Sequence, residues 1–172
     1  MCKNDFQLIA KYNKEVNKKM NNKYIKTLSE EEWNKQFSGY YKSIHELCSH
    51  IFVGDYVWLN RFRSLNTFKN LSKNYFDKNI GFNEVLFENI PEYLTRRIEL
   101  DNMLVSFIDE LDENDFGKEL KWTNSKGISF EKKLGVCLTH LSYHQTHHRG
   151  MISLYLEFLE KENDYSNFYP YG

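Results

Sequence analysis

The sequence predicts an all-α fold: a four-helix bundle with a small β-hairpin between the third and fourth long helices. Two observations carry that prediction. Apolar residues recur every three or four positions over four long stretches, which is the helical period and not the period of two expected of a strand. Only 8 Gly and 2 Pro occur in 172 residues, where average use of the two together is about 12%, so the chain is poor in the turn formers that a many-stranded fold needs. A length of this order suits one domain spanning residues 1–172 and buries roughly 70% of the surface of the unfolded chain. A hydrophobic fraction of 41% and an aromatic fraction of 16% supply the core and argue against disorder.

The elements follow in order. Phe6, Ile9, Tyr12, Val16 and Met20 mark a first helix over about residues 4–24. Ser29 followed by Glu32 fits a capping box, in which each side chain reaches the other's backbone amide, and a short helix around Trp33 follows. Ser38-Gly39 opens a second long pattern with Ile44, Leu47, Ile51, Trp58 and Phe62 on one broad apolar side, ending near Arg63. Residues 64–83, rich in Asn, Ser and Lys, form a long connection. Pro91 suits the first turn of a third helix, which Leu94, Ile98, Leu104, Phe107, Ile108 and Leu111 carry to about Asp112. Between Lys118 and Phe130, two short apolar runs flank the turn-forming cluster 124–127, the pattern of a hairpin. The fourth long helix runs from about Glu131 to Glu160 along Leu134, Leu138, Leu141, His144, His148, Ile152, Tyr155 and Leu159. Four such stripes bury one another in a bundle around a central polar site. The tail 164–172, with four aromatics, is expected to pack on that bundle or on a partner; core packing is favoured over a substrate lid or dimer contact.

Several function classes are disfavoured. Twenty-three Lys and Arg against 24 Asp and Glu leave a net charge of −1, without the basic excess that nucleic-acid binding demands. No apolar run approaches a membrane span, and residues 1–5 lack the profile of a secretory signal. The expectation is a soluble cytoplasmic protein. Cys2, Cys48 and Cys137 are odd in number and widely spaced, so they read as reduced thiols, with Cys48 and Cys137 in the core.

The histidines are the sharp feature. Of six, His140, His144, His147 and His148 fall within one short stretch of the last helix. At about 100° per residue, His144 and His148 differ by about 40° and lie one turn apart, so two imidazoles project from one face. That is metal-ligand spacing, and a catalytic site adds a third protein ligand while leaving a position open. His50, in the second long helix, is the natural third. By the same geometry His147 is an alternative ligand or, in the favoured reading, lines the pocket; His140 extends the polar stripe or, in the favoured reading, is a hydrogen-bonded core residue; and His45 is exposed. Glu46 lies one turn before His50, either as an exposed carboxylate or as an acceptor for a ligand's second N–H. Arg149 reads as a helix-pairing or salt-bridge residue. Gly150 costs about 1 kcal/mol inside a helix relative to Ala, which close helix approach would explain.

The string His144-Gln145-Thr146-His147-His148-Arg149-Gly150 resembles the HxxHHRGQ signature of the DinB family of bacterial four-helix-bundle proteins. Ser43 and His50 followed by Trp58-Leu59 look like that family's second-helix segment, and the Trp122 hairpin and aromatic tail extend the resemblance over nearly the whole chain. The resemblance implies that His50, His144 and His148 hold a divalent ion, such as nickel, zinc or iron, between helices. It also implies metal-dependent hydrolysis, or transfer or isomerisation with a low-molecular-weight thiol such as bacillithiol or mycothiol, acting on a small-molecule substrate in a homodimer. A non-catalytic metal-binding or stress-associated interaction bundle is the alternative. Two positions depart from the pattern: Met151 stands where the family has Gln, and Tyr143 where it often has Asn. Neither removes a ligand, though both bear on pocket polarity. Helix four offers no obvious carboxylate one turn from the histidine pair to act as general base.

Overall fold

The computed structural model describes residues 1–65, 71, 73–124 and 126–171. Five α-helices and one hairpin occur among them, and local chemistry sets each boundary. Helix α1 is Lys3–Lys23, started by Asp5, whose carboxylate accepts the Cys2 amide at 2.8 Å. The short α2, Glu30–Asn34, begins with the expected capping box: Ser29 Oγ accepts from the Glu32 amide at 3.1 Å, and Glu32 accepts from the Ser29 amide at 2.8 Å. It buries Trp33 to 2% exposure.

Helix α3 is Ile44–Phe62, starting later than the Ser38-Gly39 signal suggested. Ser43 is the effective cap, accepting the Glu46 amide at 3.1 Å. Residues 37–42 instead fold back on themselves, with the Phe37 amide donating to the Lys42 carbonyl at 2.7 Å. In the 64–83 connection, the described part contains 3-10 turns at Arg63–Leu65 and Lys73–Phe76; residues 66–70 and 72 lie outside the described residues.

Helix α4, Ile90–Glu110, is capped by Asn89, whose side chain accepts the Glu92 amide at 2.9 Å, with Pro91 in its first turn as expected. The hairpin pairs β1, Glu119–Thr123, with β2, Ser129–Lys133, antiparallel, Trp122 opposite Phe130. Asn124 Oδ1 closes its turn by accepting the Lys126 and Ile128 amides at 2.9 and 3.0 Å; Ser125 lies outside the described residues. Because residues 131–133 belong to β2, the last helix, α5, is Leu134–Phe158 and starts three residues after the expected Glu131.

Helix α1 packs on α4 and α3 on α5. The apolar core falls into two parts, one around Phe52, Phe62, Phe107 and Leu138, the other around Val16, Ile44, Leu47 and Ile152. On α3, α4 and α5 a buried polar belt lies between them. Arg97 pairs with Asp55 at 2.8 Å and Asp101 at 2.9 Å, and Gln145 donates to Asp55 at 2.8 Å. Arg149 donates to Asn13, Asn17 and Gln145 at 2.6, 3.2 and 2.9 Å, which fulfils its expected helix-pairing role, through neutral amides. The buried Asn13, Asn17 and Asn21 form an i, i+4, i+8 row on α1 that supplies polar partners to this belt. Among the described residues, no helix is long and apolar enough to cross a membrane.

Candidate metal centre

His50 comes from the middle of α3, and His144 and His148 from successive turns of α5. The packing of α3 on α5 brings them together: one nitrogen from each lies within 4.8 Å of the others. His144 Nε2 and His50 Nε2 are 2.9 Å apart, and the His144 and His50 rings each lie 4.5 Å, centroid to centroid, from His148. A tetrahedral ion with metal–nitrogen bonds of about 2.0–2.1 Å needs ligand nitrogens roughly 3.3 Å apart, a spacing that falls between the 2.9 Å of the His50–His144 pair and the 4.8 Å limit within which the three nitrogens lie. The i, i+4 spacing singled out His144 and His148, and the fold places His50 beside them.

The electrostatics suit a cation. Burial, reinforced by the neighbouring imidazoles, pushes His144 down to about 3 and His148 down to about 4, and burial lowers His50 as well. The rings of His144 and His148 are therefore neutral at pH 7, with lone pairs free for an ion. Among the described residues, Nδ1 of His144 and Nδ1 of His148 are buried without a hydrogen-bond partner, whereas His50 Nδ1 faces the Phe82 carbonyl at 3.5 Å. The side chains alone leave the cluster's hydrogen-bonding capacity unfilled.

His144 reaches α3 because residue 54 is glycine. A β-carbon there would lie 2.7 Å from His144 Cε1 and 3.1 Å from Nδ1. Gly54 is one turn beyond His50 on the same face, a spacing that could have flagged it. The expected close approach at Gly150 is not found: a β-carbon there meets nothing within 4 Å, because that residue faces outward.

A cavity of about 200 Å³ opens over His50, lined among others by Tyr40, Tyr41, Glu46, Phe82 and Glu84. Tyr41 stacks on His50 at 4.3 Å and meets the edge of His148 at 5.4 Å, and burial raises its phenol to about 12. Tyr155 donates to the Tyr41 carbonyl at 2.6 Å and fixes this strap. No sequence period marks Tyr41 or Phe82, since both lie outside the helices. Glu46 is half-buried and accepts the Lys42 amide at 2.7 Å, a local role at the start of α3.

The remaining histidines correct the sequence reading. His140 is exposed, its ring against the edge of Trp58 at 5.5 Å, because its side of α5 turns away from the core. His147 is exposed beside His148. His45 is half-buried, stacked on Trp33 at 4.9 Å and bonded to the Leu86 carbonyl at 2.5 Å, because α2 folds across it. Tyr143 is 72% exposed, so its departure from the signature does not alter the pocket. Met151 is half-buried and packs on the apolar cluster around Ile152. Cys48 and Cys137 are buried as expected, and the tail packs through Tyr165, whose hydroxyl donates to the Arg149 carbonyl at 2.9 Å.

No curated protein matches the chain. Residues 1–162 match the sequence profile of the DinB family, a span that takes in all five helices, the hairpin and the three converging histidines, and the chain accordingly belongs to the DinB family.

Proposed function

We propose that His50, His144 and His148 bind one divalent metal ion, nickel, zinc or iron, and that the protein is a cytoplasmic enzyme transferring a group of a small-molecule substrate to water or to a low-molecular-weight thiol. The observation that carries this reading is the convergence of three uncharged imidazoles, of which His50 lines an open cavity. Three neutral ligands leave the ion its full charge, and a bound ion of this kind lowers the pKa of a water or thiol enough to make a nucleophile at neutral pH. The chain's own residues do the rest. Gly54 admits His144 against α3, Tyr41 covers His50 and limits water, and the Glu46 and Glu84 carboxylates on the cavity wall are within the pocket where a proton is accepted.

The test is elemental mass spectrometry of tag-free protein beside a His50→Ala, His144→Ala double variant. About one ion per chain in the first and none in the second is the expected result. Metal-loaded protein is then offered nitrophenyl esters, and separately an electrophilic aryl halide with a small thiol. Absence of metal after nickel, zinc, iron and manganese are supplied overturns the reading.

A non-catalytic interaction role has one observation of its own. Val136, Tyr143 and Leu154 are exposed at 56%, 72% and 46% along one side of α5, with the open Gly150 between them. This uncharged stripe supports pairing with a second copy of the chain, in an enzyme or in a binding protein alike.

A further inference from the structure

Arg61 lies on α3 eleven residues beyond His50, within about 20° of it around the helix and about three turns along. Its guanidinium carbon sits 4.7 Å from the ring centre of Trp58, 5.4 Å from Trp122 and 5.5 Å from Phe82. Phe82 is also a wall of the cavity over His50, so one ring belongs to both places. Arg61 is half-buried, and burial lowers its pKa. Among the described residues, no carboxylate forms an ion pair with it. A partly desolvated cation without a counter-charge is costly, and aromatic faces compensate only in part. Stacking occupies the faces of the planar group and leaves its N–H edge, suited to two oxygens of one acceptor.

We propose that Arg61, framed by Trp58, Trp122 and Phe82, is an anion-binding subsite that anchors the carboxylate or phosphate end of the small molecule whose other end reaches the three histidines. Glu46 and Glu84 stand on the cavity's wall and repel an anion there, which turns the charged end of a substrate toward Arg61. Eleven residues of helix span about 16 Å, shortened only by the greater length of the Arg61 side chain, so a ligand joining the two points is on the order of 10–15 Å long. The assignment to a substrate rests on the metal-centre reading; the anion subsite does not.

The experiment titrates the full chain with benzoate, phenyl phosphate and the uncharged benzyl alcohol, by calorimetry and by the fluorescence of Trp58 and Trp122. At least one anion is expected to bind tenfold or more tighter than the alcohol, the tighter of the two identifying carboxylate or phosphate. Arg61→Met should remove that preference, and Arg61→Lys, which keeps the charge but not the two-pronged donor, should restore part of it. If Arg61→Met fails to fold, the Lys variant carries the test through weakened anion binding. In His144→Ala, metal is expected to be lost while anion binding stays, which separates this subsite from the ion. Equal binding of all three probes, full anion affinity without Arg61, or anion binding that vanishes with the metal overturns the proposal.

Discussion

Gly54 and His144 are packed so closely that a single methyl group on residue 54 would come within 2.7 Å of the imidazole. Alanine is a better helix former than glycine by about 1 kcal/mol, so Gly54→Ala should leave stability close to wild type while turning His144 out of place. The expected outcome is metal affinity at least tenfold lower with an unchanged circular dichroism spectrum. Undiminished affinity would show that His144 is not held by this contact.

The metal-free protein should weaken as pH falls below about 6.5. His144 and His148 titrate near 3 and 4 when folded but near 6.5 when unfolded. Over the interval between, the unfolded chain takes up protons that the folded one refuses, so their contribution is complete above 6.5 and lost as pH drops toward 4. Asp101, raised by burial to about 6, acts in the opposite sense, so the comparison is with a His144→Gln, His148→Gln variant under a chelator. Urea midpoints from pH 7 to pH 5 should fall more steeply for wild type; parallel profiles would contradict the assignment.

Arg97 holds two buried carboxylates at once. Arg97→Met leaves Asp55 and Asp101 facing each other without the cation and should cost about 3–5 kcal/mol in urea unfolding. Replacing all three residues by Leu, Met and Leu should recover only part of that loss, since it removes these ions but leaves the buried Arg149 without the nearby Asp55 and Asp101 charges. A small loss for the single variant would mean that water reaches the belt.

The exposed side of α5 has its own measurement. Leu154→Glu places a charge in the uncharged stripe, and light scattering should show the assembly shift from two chains to one with metal content unaltered. A wild-type protein that already runs as a single chain at high concentration removes the pairing role of α5.

What could be read from the sequence followed local rules. Helical period, the Ser29–Glu32 box and Pro91 are set by neighbours within a turn, and the i, i+4 spacing alone puts His144 and His148 on one face of the helix. The misreadings depended on what lies across from a residue. His45 is covered because α2 lays Trp33 over it, and Gly150 faces outward while Gly54 meets a ring. In the sequence, only the four-residue step from His50 to Gly54 sets the two glycines apart. The polar belt left partial signs: Asp55 interrupts an apolar run, Arg97 and Asp101 are one turn apart, and Asn13, Asn17 and Asn21 keep a four-residue step. That these join in one layer follows only from the docking of α1, α3, α4 and α5.

His50 and His144 are separated by 94 residues, and α5 follows α3 in the chain only after α4 and the hairpin. An ion that requires both can be captured only after α5 has been synthesised and docked on α3, so a nascent chain offers it no complete site. If the proposed site takes up an ion, loading is a check on assembly: a chain that misplaces α5 stays empty and forgoes the stabilisation that a ligand gives to the folded state alone.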